Sequence, residues 1–257
     1  MNHLEQTDGI RVGATKTTFE IIHALKNLDG AGVSEVARHL DKPKTTVFDH
    51  LKTLEELNYV TADEDEYRIG ARFLDLGGYA RDRMKIFQVA QPQVDELAAK
   101  TDEHANLMIE EHGLGIFLYT AEGENTVKLD TYSGRHVHLQ TTALGKAILA
   151  HTPRERVEEI LDKHGMPQIT EWTITDRDSL FQELAEIREQ GYATDTEERV
   201  KGMWCVAAPI TDSEGAPVGA VSVSAPKNQV QGERFRDELP SVVQGTANII
   251  EVNFTYI

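Results

Sequence analysis

The sequence predicts an α+β protein: an N-terminal winged helix-turn-helix, a linker helix, and a larger C-terminal domain of mixed strands and helices. Three observations predict it. Before residue 70, three short runs of apolar residues at helical spacing give way to two strand-like runs around an acidic loop. An amphipathic stretch follows, ARFLDLGGYARDRM, interrupted by Gly77-Gly78. From residue 89 onward, strand-like and helical runs are mixed, with turn residues between them.

Taken in order, residues 1–12 read as a polar tail, 13–70 as the winged helix-turn-helix, 71–88 as the linker and 89–257 as the second domain. Phe19, Ile22, Leu25 and Leu28 mark one face of a first helix, stopped at Asp29-Gly30. Ser34 is placed to cap a second helix, whose inner face is Val36, Ala37 and Leu40. Asp41-Lys42 turns the chain, and Pro43 suits a first helical turn because its missing N–H costs nothing there. Val47, Leu51, Leu54 and Leu57 predict the buried stripe of a third helix. Tyr59-Val60 and Tyr67-Arg68-Ile69 read as strands flanking the loop of residues 61–66.

In a winged helix the third helix enters the major groove and the hairpin rests on the phosphate backbone. With Val47 and Leu51 inward, Lys44, Thr45, Phe48, Asp49 and Lys52 face outward; Lys42, Thr46 and His50 lie near the helix start. Lys and Thr suit phosphates and base edges, and Phe48 suits a thymine methyl. Asp49 must accept from a cytosine amine or stay clear of phosphate. The plainer reading is a small helical domain with a solvated charged face, and the acidic loop Asp63-Glu64-Asp65-Glu66 counts against a wing that grips phosphate.

The formal charge of -17 sets a puzzle for a DNA-binding protein. Residues 1–85 hold 12 Lys and Arg against 15 Asp and Glu, so -14 of the charge lies in residues 86–257. Residues 38–52 carry four basic and two acidic side chains. A halophile's cytoplasm accounts for the global excess, because concentrated salt screens long-range repulsion to a few ångströms. No apolar run reaches the length of a membrane span, and the N-terminal residues carry no apolar signal core, so a cytoplasmic protein with no membrane partner is expected. Cys205 is the single cysteine, which excludes a disulfide framework.

In the linker, Phe73, Leu74, Leu76 and Tyr79 offer a face for a partner subunit. In the second domain, helices are expected over 89–100, 142–151, 154–163, 179–189 and 235–251, and strands near 105–111, 116–120, 127–132, 206–210 and 218–224. No phosphate loop or dinucleotide fingerprint is present, and no cofactor is expected. Cys205 with His136 or His138 and Asp195 offers, in principle, a thiol nucleophile and base; a lone Cys in MWCVAAPI is more often a buried small hydrophobe. Two histidines do not make a zinc site, so no metal is expected. Two features suit a small ligand. In TALGKA, small residues open a helix and leave backbone N–H groups for an anion. In AVSVSAP, Ser222 and Ser224 share one face of an apolar strand.

These stretches resemble the isocitrate lyase regulator (IclR) family of transcription factors. The resemblance rests on VSEVARHLDKPKTTVFDHLKTLEELNYV, YRIGARFLDLG, TTALGKAILA, GYATDTEERVKGMWCVAAPI and GAPVGAVSVSAP, and covers nearly the whole chain. It implies a GAF-like C-terminal effector domain, homodimers or homotetramers on palindromic double-stranded operators, and effectors such as organic, aromatic or sugar-derived acids. Carried over by position, the effector residues are Ala143, Leu144, Asp195, Cys205, Ser222 and Ser224. The family commonly has Ser-Thr where Thr45-Thr46 stand and Arg where Asp49 stands, so the operator is expected to differ. Where the family often has Pro-Leu before the effector helix, this chain has Val137-His138-Leu139, which makes His138 a possible further pocket residue; Leu144 stands where smaller residues are common. The expected function is a regulator of catabolic genes in a halophilic, haloarchaeal cytoplasm. The rivals are an enzyme using Cys205 and a sensor acting through protein contact alone.

Overall fold

A computed structural model of the chain describes residues 9–124, 126 and 130–256. The chain divides into two compact units, Met1–Ala80 and Arg81–Ile257.

The first unit contains α1 (Gly13–Leu28), α2 (Val33–His39), α3 (Lys44–Glu56) and a hairpin of β1 (Val60–Asp63) and β2 (Glu66–Ile69). Ile21, Leu25, Val36, Val47, Leu51 and Val60 fill its core. The strands are antiparallel, with Val60 opposite Ile69, and an isolated bridge from Ala31 to Tyr67 ties the α1–α2 connection to the wing. Two expected core residues face outward: Phe19 is 47% and Leu57 51% exposed. A helix turns about 100° per residue, so a strict i+3 series drifts by about 60° at each step. Ile21, Ala24 and Leu25 therefore make the inward face of α1. Leu57 lies just past the end of α3. Gly32, not Ser34, occupies the N-cap position of α2, and Pro43 that of α3.

Helix α4 (Arg72–Asp82) runs unbroken through Gly77-Gly78 and buries none of its residues. Its start is anchored by Arg72, which donates to the Leu57 carbonyl at 2.6 Å, and by Phe73, whose ring lies 4.9 Å from that of Tyr59.

In the second unit, α5 (Lys85–Thr101), β3 (His104–Glu111), β4 (Leu114–Ala121) and β5 (His136–Val137) are followed by α6 (Ala143–His151), α7 (Arg154–His164) and α8 (Arg177–Gln190). Then come β6 (Ala193–Thr196), β7 (Met203–Thr211), β8 (Pro217–Pro226) and α9 (Leu239–Tyr256). The sheet runs β5-β4-β3-β8-β7-β6 with every neighbouring pair antiparallel. On one face, α5 and α9 pack over Leu107, Val206, Val221 and Val223; on the other, α6, α7 and α8 pack over Met108, Ala207 and Ala220. The period of two along β8 thus sends Val221 and Val223 to one core and Ser222 and Ser224 to the α6 side.

Of the strand expected over 127–132, residues 127–129 lie outside the described residues and 130–132 form no strand. Conversely, β6 went unforeseen because ATDT offers no apolar alternation. Among the described residues, no helix is long and apolar enough to cross a membrane.

Candidate functional site

The first unit presents one exposed face of α3. Lys44, Thr45, Phe48, Asp49 and Lys52 are exposed along it, whereas Thr46 is half-buried. Three of the expected contacts are already engaged. Lys42 pairs with Glu20 at 2.9 Å. His50 shares a 2.8 Å hydrogen bond with Thr18, which ties α3 to α1. Lys52 pairs with Glu55 at 2.8 Å, but Lys52 is exposed and Glu55 only half-buried, so a phosphate can compete for the ammonium at small cost. At the wing, Arg68 pairs with Glu66 at 2.5 Å, neutralising one of the four acidic residues of the loop.

The second unit encloses a cavity between the sheet and the start of α6. Ala143, Leu144, Asp195, Cys205, Ser222 and Ser224 all line it. The space it encloses, its open mouth included, is about 430 Å³. The α6 wall depends on a glycine: a Cβ on Gly145 would stand 2.1 Å from the Leu139 carbonyl oxygen. Thr142 caps the helix by accepting from the Gly145 N–H at 2.9 Å. The Ala143 and Leu144 N–H groups belong to the first turn, have no intrahelical acceptor, and lie at the positive end of the helix dipole.

Strand pairing brings the other wall together. Asp195 lies opposite Cys205, and Cys205 opposite Ser224, across three adjacent strands. Asn106, opposite Ser222 on β3, donates to the Ser222 and Ser224 hydroxyls at 3.4 and 3.3 Å. Sequence reading missed Asn106, as it missed Arg199, which also lines the cavity. Arg199 donates to the Thr131 hydroxyl at 3.3 Å and to the Asp130 carbonyl at 3.2 Å, and its guanidinium carbon lies 5.1 Å from the centre of the Phe117 ring. The signal available for Arg199 was its place four residues past Asp195; for Asn106 no local signal existed. His138 is not among the lining residues; it is buried, with its ring 6.4 Å from that of His164.

Burial dominates the electrostatics. It pushes the Asp195 carboxyl up to about 6 against the pull of Lys146, although Asp195 accepts from the Glu198 N–H at 2.7 Å. Lys146 has no exposed surface and is paired with Glu183 and Glu198, both at 2.5 Å. Burial alone would lower its basicity, but the two carboxylates reverse this and keep it an ammonium. Burial also pushes Glu198 up to about 7. For Cys205, burial and then the Asp195 charge push the thiol up to about 12, so it is a protonated thiol at neutral pH and a poor nucleophile.

Two family models match the chain. One, described as the IclR helix-turn-helix domain, matches residues 16–64. The other, described as bacterial transcriptional regulator IclR C-terminal, matches residues 79–252. A probable HTH-type transcriptional regulator, ArcR, from Halobacterium salinarum is 34% identical over 248 residues, covering 94% of each chain. The HTH-type transcriptional regulator KdgR of Escherichia coli is 28% identical, covering 88% of this chain and 87% of its own. The crystal structure of Thermotoga maritima IclR superposes with a TM-score of 0.78 at 30% identity, covering 95% of this chain and 99% of that one.

Proposed function

On the premise that this chain belongs to the IclR family of DNA-binding transcriptional regulators, which respond to small-molecule effectors, we propose how its two units divide that work. Residues 13–70 bind the operator through the exposed face of α3, and residues 89–257 bind the effector in the cavity behind α6. The observation that carries this reading is the cavity itself, where an N-terminal helical turn, two serines and a buried carboxyl converge from elements far apart in sequence. Family members are regulators rather than enzymes, and a thiol pushed up to about 12 has no activated nucleophile to offer.

Lys44, Thr45, Thr46 and Lys52 are the proposed main DNA contacts. Lys44 and Thr45 are exposed. Asp49 occupies the middle of the same face and excludes phosphate from it. Cations bridge the acidic wing, so counterion release drives little of the binding in concentrated salt. The protein works as a homodimer or a dimer of dimers on a palindromic operator, with α4 as the pairing helix; the 75% exposure of Leu74 and the 64% exposure of Tyr79 support this. Residues 71–88 are the linker. A cytoplasmic, haloarchaeal setting fits the charge of -17 and the Halobacterium relative. The regulated genes are catabolic.

Binding of the purified protein to the DNA upstream of its own gene, measured from about 0.2 to 2 M KCl with and without a panel of small acids and sugar acids, tests the reading. Specific binding that persists in concentrated KCl and that one compound changes is expected. Absence of specific binding at every salt concentration would overturn it in favour of a sensor acting through protein contact.

A further inference from the structure

The cavity carries more chemical information than an anion site alone. Arg199 is half-buried, lines the cavity, and among the described residues donates to neutral acceptors, the Thr131 hydroxyl and the Asp130 carbonyl. Among the described residues no carboxylate lies within ion-pair distance of it; burial and the neighbouring Arg135 disfavour its charge, and the more distant Asp130 and Asp195 offset this only in part. A guanidinium keeps its proton under such conditions, so the cost is met when a planar anion fills its fork. The N–H groups of Ala143 and Leu144 line the same cavity and ask for the same charge.

The opposite wall asks for something else. Asn106 is 98% buried, its amide nitrogen is spent on Ser222 and Ser224, and its Oδ1 has no hydrogen-bond partner among the described residues. A buried carbonyl oxygen left in that condition accepts from whatever enters. Asp195, lining the cavity beside Cys205, is a second acceptor whenever it is ionised. A ligand complementary to both walls carries an anionic head and a hydroxyl donor. A space of about 430 Å³, its mouth included, suits a small ligand.

Resting on the effector reading given above, we propose that Arg199 and Asn106 set the specificity of this cavity and that its effector is a small hydroxycarboxylate. The carboxylate lies between the Arg199 guanidinium and the α6 N-terminus. A hydroxyl donates to the Asn106 Oδ1. A plain carboxylate leaves that oxygen unpaired, and a neutral polyol leaves Arg199 unpaired, so each binds more weakly.

Calorimetric titration of the full chain tests this, using D-glycerate and L-lactate as hydroxy acids, propionate as the deoxy acid, and glycerol and methyl glycerate as neutral analogues. At least one hydroxy acid is expected to bind about tenfold or more tightly than propionate and than either neutral compound, about the ratio that one satisfied buried hydrogen bond gives. R199Q is expected to weaken the acids about 30-fold or more and to erase their advantage over methyl glycerate, whereas N106L erases the preference for lactate over propionate. The ligand series on the unaltered protein decides the matter even where a variant fails to fold. Neutral analogues binding as well as the acids, propionate binding as well as lactate and glycerate, glycerol phosphate outcompeting them, or no binding by any compound would each overturn the proposal. Operator binding of the unaltered protein, measured in parallel, separates the two ideas. DNA binding without hydroxy-acid selectivity sinks this inference and leaves the regulator standing; selectivity without DNA binding does the reverse.

Discussion

Replacing Asp195 with Asn should stabilise this protein at alkaline pH, which is unusual for the loss of a buried hydrogen-bonded side chain. In the wild type the carboxyl is raised from 3.8 to about 6, chiefly by burial. Each factor of ten in that ratio is about 1.4 kcal/mol, so the ionised carboxylate costs the folded state about 3 kcal/mol. At pH 8 folded and unfolded chains are both ionised there, and the folded one bears the whole cost. As pH falls through about 6 the folded state takes up the proton first and gains stability; below about 4 both states are protonated and the difference is gone. Asn keeps an Oδ1 for the Glu198 N–H, now accepted at 2.7 Å, and never ionises. D195N should therefore melt about 6–12 °C above the wild type at pH 8, at about 2–4 °C per kcal/mol for a domain of this size. The gap should close toward pH 4. Thermal unfolding followed by near-ultraviolet circular dichroism at fixed KCl, at half-unit intervals of pH, measures it. A variant that melts below the wild type at pH 8, or a gap that does not change with pH, would refute the claim that Asp195 is held ionised against its desolvation.

Three further outcomes are expected. Gly145→Ala places a methyl group 2.1 Å from the Leu139 carbonyl oxygen, so α6 must move; a destabilisation of about 1–3 kcal/mol and loss of effector binding should appear together in melting and titration. Lys44→Ala should weaken DNA binding about equally on specific and unrelated sequences, measured by fluorescence anisotropy at fixed KCl, the outcome expected of the proposed phosphate contact from this exposed residue of α3. Cys205, with its thiol pushed up to about 12, should react with iodoacetamide at pH 8 far more slowly than an ordinary thiol of about 8.5; Cys205→Ala should leave operator binding within about twofold and leave no enzymatic turnover to lose.

Comparing expectation with structure shows which physical signals a sequence carries. The core stripe Val47, Leu51 and Leu54 was legible because a helix's burial repeats every three to four residues, within a few positions of itself. Ser222 and Ser224 were legible as a shared face because a strand's repeat is two. The same reasoning went wrong where a three-residue spacing was extended too far, at Phe19 and Leu57. It also could not see an engagement such as His50 with Thr18, which joins helices 32 residues apart.

The sequence by itself determined the winged helix-turn-helix, the mixed second domain, most of its helices and strands, the family, and, through the resemblance to that family, the six residues that line one cavity wall or another. The elements follow from local periodicity, and the family and the six residues from the resemblance that contiguous stretches carry. Only the tertiary structure decided that Asn106 meets Ser222 across 116 residues, that Lys146 is wholly buried between Glu183 and Glu198, and that Arg199 lines the cavity with no carboxylate within ion-pair distance among the described residues. Strand register and helix docking decide these relations. The same polar side chain reads alike in sequence whether it faces water or a buried cavity, and only its neighbours in space set its charge state and its unsatisfied hydrogen bonds.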